Sequence, residues 1–266
     1  MTLPFRLEKK HKYLIHSFLM GAVFFWFSFS SDDNKFNIFM IALVLVSVGT
    51  LISQYPNIEI RNVYYNLLIP MHLVVGMMLS IIYFPNLGDP LKIMAAVVFS
   101  FVFYVVLLIN NVFMVVEEKK ELIPLYRAAV TWNQILLVVV AIPYLAGVFK
   151  MPLNAFIQGI VVSLSIFFLF SHHLWALQLD REVKQIGMGE KWLLILFMTF
   201  LGFIYSITVS FIPTESFLRA LFVATFLIFG VNYVQGHLKN TLTFKFVAEY
   251  LVLSIIFFLI LLIYKP

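Results

Sequence analysis

Apolar residues run along this chain in blocks of about twenty, separated by short polar segments. Nine such blocks fall at roughly 12–31, 36–53, 63–84, 91–116, 131–149, 155–177, 192–212, 217–236 and 246–264. At 1.5 Å of rise per residue, each is long enough to cross about 30 Å of hydrocarbon as an α-helix. The pattern predicts an all-α fold, a polytopic transmembrane helical bundle of about nine spans. It also predicts a single integral membrane domain over residues 1–266.

The segments between the blocks are punctuated as helix ends. Asp89-Pro90 reads as an N-cap with proline at the first helical position, and Thr214 or Ser216 after Pro213 reads as the cap of the eighth span. The two largest connections, Glu117 to Ala129 and Gln178 to Lys191, have the length of loops and leave no room for a soluble domain. Spans 3–4, 5–6 and 7–8 each form a hairpin with a proline near the turn (Pro85, Pro152, Pro213). The recurrence, at about 60–67 residues, fits a duplicated hairpin, but two spans plus two short loops occupy that length without any duplication.

Charge orients the bundle. With the N-terminus inside, the cytoplasmic segments hold thirteen basic residues: Arg6, Lys9, Lys10, Lys12, Arg61, Lys119, Lys120, Arg127, Arg181, Lys184, Lys191, Lys239 and Lys245. Five, namely Lys35, Lys92, Lys150, Arg219 and Lys265, lie outside. This asymmetry places the N-terminus in the cytoplasm and the C-terminus externally. Arg6, Lys9, Lys10 and Lys12 ahead of an apolar run resemble a signal peptide, but no small-residue cleavage site follows, and the run reads as a retained first span.

Composition narrows the chemistry. The chain is 62% hydrophobic and 12% charged, well away from the roughly 25% charged of a soluble domain, so its formal charge of +5 reads as topology and lipid anchoring, with no nucleic-acid partner. Zero cysteines exclude disulfides, thiolate metal centres, iron–sulfur clusters and cysteine nucleophiles. Short loops that are basic on one side suggest the plasma (inner) membrane of a prokaryote.

Polar residues gather toward the cytoplasmic ends of the spans. His11, His16, His172, His173 and His237 lie there, as do Glu117, Glu118, Asp180, Glu182 and Glu249. Asn110, Asn111, Asn133, Gln134, Asn232 and Gln235 deepen the same side, while His72 alone among the histidines approaches mid-bilayer. Candidate acid/base residues are Glu117, Glu118, His172 and His237, and candidate metal ligands are His172 and His173. Competing readings are structural. Glu249 has Lys245 four residues earlier as a helix-surface partner; His72 is expected to bond a neighbouring backbone; and His172-His173 fits an interfacial pair reaching for headgroups. Adjacent helical positions point about 100° apart, so His172 and His173 chelate one ion only with help from other helices.

Zinc-helix, nucleophile-elbow, P-loop and multi-histidine desaturase motifs are absent. The nine-span layout is similar to that of membrane prenyltransferases, but their aspartate-rich Mg²⁺ motifs are missing. Glu117-Glu118, Phe168-x-x-x-His172 and His237 together resemble pieces of the CAAX-protease-like membrane family. That resemblance implies a Glu-Glu pair and histidines activating water inside the bundle. The chain departs from the pattern at Leu122, where arginine is expected, and at Thr241, where Asn or Asp is expected. Glu117-Glu118 also run straight into Lys119-Lys120, and an extra helix pair separates the first two pieces.

Three functions are compatible with the sequence: a non-catalytic membrane subunit or anchor with a protein partner in the bilayer; a transporter or permease for an apolar or lipid-like solute; and a membrane-embedded enzyme with a cytoplasmic-side Glu/His site. Scarce glycine and the absence of acidic residues near mid-bilayer disfavour an ion-coupled carrier. The subunit reading fits the short loops and abundant Phe best. No cofactor is specified by any motif.

Overall fold

The computed structural model describes residues 8–60, 62–84 and 86–263, so Arg6, Arg61, Pro85 and Lys265 lie outside the described residues. Among these, nine α-helices are long and apolar enough to cross a membrane: α1 (Lys9–Phe29), α2 (Asp32–Gln54), α3 (Val63–Tyr83), α4 (Asp89–Lys119), α5 (Leu125–Lys150), α6 (Ala155–Leu177), α7 (Met188–Ser210), α8 (Ser216–Leu238) and α9 (Phe244–Ile263). The expected all-helical, nine-span bundle is what the chain forms.

Helix ends follow local chemistry with some changes from expectation. Gly88 is the N-cap of α4, which places Asp89 and Pro90 inside the first turn, where a carboxylate and a missing N–H are both well tolerated. The cap of α8 is Glu215, between the two residues expected there, and it makes no side-chain capping bond. Asn154 caps α6, its Oδ1 accepting from Ile157 N at 2.8 Å. Helices α4 and α5 run on to Lys119 and from Leu125, so the expected long connection after Glu117 is mostly helix.

The chain divides into two compact units, residues 1–121 and 122–266. In the first, α1 packs on α2 and α4, and α3 closes the ring between α2 and α4. Its centre is aromatic, with Phe24 and Phe99 rings 5.0 Å apart, Phe99 and Phe103 5.9 Å apart, and the His16 ring edge-on to Phe103 at 5.1 Å. Helix α2 turns one stripe inward, Ile38, Ala42, Val46, Thr50 and Gln54, all buried and four residues apart. That spacing is the i±4 ridge by which helices interlock.

In the second unit the most extensive pairings are α6 with α7 and α5 with α8. Helix α9 leans on α8, with half of its residues exposed and Leu261 its one buried position among the described residues. Close packing has a signature at Gly202, where an added Cβ would meet the Ile166 side chain and the Phe226 ring. The segment between α6 and α7 is held by its own bonds: Gln178 Nε2 donates to Lys184 O (2.9 Å), and Gln185 Nε2 to Asp180 O (2.7 Å).

Candidate functional site

In the first unit, the polar residues of the inner half connect helices to one another. Helix α3 contains Pro70, which has no N–H, so the carbonyl of Asn66 four residues earlier loses its intrahelical donor. Asn110 of α4 supplies the replacement, its Nδ2 donating to Asn66 O at 3.0 Å. In hydrocarbon a bare carbonyl is costly, which explains an asparagine at this depth. The Asn66 side chain itself is fully buried, and neither of its amide atoms bonds a described residue.

Gln54 joins three helices. Its Oε1 accepts from Tyr13 Oη (3.1 Å), and its Nε2 donates to Leu107 O (3.1 Å). Both side chains are buried. Glu117 is half-buried, and its Oε2 accepts from Asn62 Nδ2 at 3.1 Å, tying the end of α4 to the start of α3. Glu118, next in sequence, is exposed, so the two carboxylates face different surroundings. Lys9 Nζ reaches Asn111 Oδ1 at 3.5 Å. His72 bonds its own helix, Nδ1 lying 3.0 Å from Leu68 O, as the backbone-bonded reading expects.

The second unit buries His172 and His173 completely. They do not reach toward headgroups as an interfacial pair would, because the last turns of α6 are enclosed by neighbouring helices. Nε2 of His173 lies 3.2 Å from Val231 O of α8, and since a carbonyl only accepts, that nitrogen carries the proton. The His172 ring packs against Trp175 with centroids 5.5 Å apart. Tyr126 Oη donates to Ala176 O at 2.7 Å, satisfying one of the carbonyls that the end of α6 leaves without a helical donor. Lys184 N does the same for Leu238 O at the end of α8 (3.0 Å), and Gln134 Nε2 donates to Gln235 Oε1.

His237 differs from His172 and His173. It is half-exposed, stacked on Tyr233 with an interplanar angle of 6°, and its Nε2 lies 4.0 Å from Glu190 Oε1. Lys184 Nζ approaches the same carboxylate oxygen at 2.9 Å. Asp180 is buried and accepts from Glu182 N (2.9 Å) within its own turn, while Glu182 pairs with Arg127 at an exposed position (3.2 Å). Glu249 has the expected partner, Lys245, at 3.9 Å on the exposed face of α9.

Of the sequence-derived candidates, Glu117 and Glu118 belong to the first unit, and His172, His173 and His237 to the second. Within the second, His172 and His173 lie in the packed interior, whereas His237 stands with Glu190 at an accessible helix end. Among the described residues, no three His, Asp or Glu side chains are grouped so as to hold a metal ion. Sequence reasoning passed over Tyr13, Gln54 and Glu190. For Gln54 the usable signal was the i+4 stripe that continues from Ile38.

Fold and interior together define a multi-pass, all-helical membrane protein. The sequence matches no protein-family model and no curated protein, and the fold matches no solved structure.

Proposed function

We propose that the chain is a non-catalytic subunit or anchor of a prokaryotic plasma membrane, acting by packing against a membrane partner. One observation carries the reading: four buried polar side chains of the spans are engaged with backbone carbonyls of neighbouring helices. Asn110, Gln54, Tyr126 and His173 each meet a carbonyl on another helix. A group committed to holding two helices together is poorly placed to move protons or ligate substrate.

An enzyme is the second reading, favoured by the accessible pair His237 and Glu190 with Lys184 beside them. An imidazole and a carboxylate 4.0 Å apart would have to close to hydrogen-bond reach, or share a water, to act as a general acid–base pair. In that reading Glu117, Glu118 and His172 are further acid/base candidates.

The two separate in one experiment. The chain is extracted from its own membrane in mild detergent and sized by native mass spectrometry, beside a Glu190→Gln/His237→Gln variant. The subunit reading expects a stoichiometric complex with a second membrane chain, unchanged in the variant. A chain that leaves the membrane alone, and whose folded variant no longer supports the host, would favour the enzyme.

A further inference from the structure

On one face of the first unit, α1 and α4 enclose a groove of about 540 Å³. That is within the roughly 300–1,000 Å³ of small-molecule sites. Its floor is made of small residues. Ser100 Oγ donates to Ser17 O at 2.9 Å, and a Cβ placed on Gly21 would stand 2.8 Å from Ser100 Cβ. The two backbones approach this closely because neither carries bulk at the contact, the arrangement that small residues permit between membrane helices. Its walls are large side chains facing outward: Phe18 is 75% exposed, Phe101 66% and Phe25 44%. A narrow trough between aromatic rims, with a smooth apolar floor, fits a single flexible hydrocarbon chain.

Length and charge identify that chain. The lining runs from Leu14 to Phe25 on α1 and from Ile93 to Tyr104 on α4. Eleven residue steps at 1.5 Å give about 17 Å, the length of one extended acyl chain segment within the ~30 Å hydrocarbon core, and the lining covers the middle of α1 (Lys9–Phe29). Three and four residues before Leu14, on the same helical face, stand His11 and Lys10. The α1 end from Glu8 to Lys12 holds three lysines against one carboxylate, Glu8, which lies 2.8 Å from Lys10 Nζ and 4.0 Å from His11 Nδ1. Even with Glu8 and, near Lys9, Glu118 counted, this cluster one turn beyond the end of the trough keeps a net positive charge and is complementary to an anionic headgroup.

We propose that the α1/α4 groove retains one anionic phospholipid, an acyl chain lying over Gly21 and Ser100 and the phosphate beside Lys10 and His11. This inference rests on the membrane fold and is independent of the subunit reading. The test is retained lipid per chain, measured by native mass spectrometry on the full-length protein after detergent washing from nanodiscs. The discs contain equal amounts of phosphatidylglycerol and phosphatidylcholine.

Wild type is expected to keep one phosphatidylglycerol. Ala22→Phe, which places a ring in the trough from an exposed position, is expected to lose it. Lys10→Gln/His11→Gln is expected to cut the preference for the anionic lipid about fivefold or more, from the contribution of each basic group near an anionic surface. Equal retention of both lipids by wild type would overturn the proposal without recourse to any variant. So would unchanged retention in folded Ala22→Phe, or a lipid-free dimer that covers the groove with a second copy.

Discussion

Asn110 Nδ2 donates to the carbonyl of Asn66 at 3.0 Å, the acceptor whose own helical donor is removed by Pro70. A proline in one span and an asparagine in another are thus parts of a single interaction. Replacing Asn110 with Leu leaves a buried carbonyl bare, at a cost of about 1–3 kcal/mol. Pro70→Ala returns the missing N–H, so in that background the same change should cost less than half as much. Unfolding in detergent, run as a double-mutant cycle, measures the coupling.

Gly49 carries a second dependence. An added Cβ would run into the His16 ring, itself buried against Phe103. Alanine gains about 1 kcal/mol over glycine as a helix former. Overpacking a rigid ring costs about 1–3 kcal/mol, so the steric term wins and Gly49→Ala should lower stability. In a His16→Ala background the clash is gone, and Gly49→Ala should turn neutral or stabilising by thermal unfolding.

Orientation can be read directly because the chain has no cysteine. Single cysteines at Glu118 and Gln185 should react with an impermeant maleimide only from the cytoplasmic side. Those at Asn86, Leu153 and Glu215 should react only from outside. All five positions are exposed. Labelling of Glu118→Cys and Leu153→Cys from the same side would contradict the charge-derived topology.

Span positions were legible in the sequence because hydropathy changes abruptly where most helices end. The third run, 63–84, matches Val63–Tyr83, and the sixth coincides with Ala155–Leu177. Helices α5 and α7 begin earlier than their apolar runs, at Leu125 and Met188. They continue past the hydrocarbon edge carrying Arg127, Glu190 and Lys191, and helical hydrogen bonding does not stop where hydropathy does. The exposed Lys245–Glu249 pair and the backbone bond of His72 were legible too, since both are local to one helix.

Burial of polar groups was not legible, because it depends on which helix stands opposite. His16, His172 and His173 occupy span ends in the sequence, yet all three are buried by neighbouring helices. Nothing near Tyr126 in the chain announces the carbonyl of Ala176 as its partner. Long-range contacts of this kind turn a row of interfacial residues into the interior of a bundle.

If the buried polar side chains of the spans serve packing and do no chemistry, His172 and His173 are where this is tested most directly. Metal content, visible absorption and thermal unfolding of the wild-type chain are compared with a His172→Ala/His173→Ala variant. The expected result is no stoichiometric metal or haem in either form and a loss of more than about 2 kcal/mol of stability in the variant, as for truncating packed interior side chains. A stoichiometric metal or haem band in wild type that is absent in the variant would contradict this reading, whatever the variant's stability.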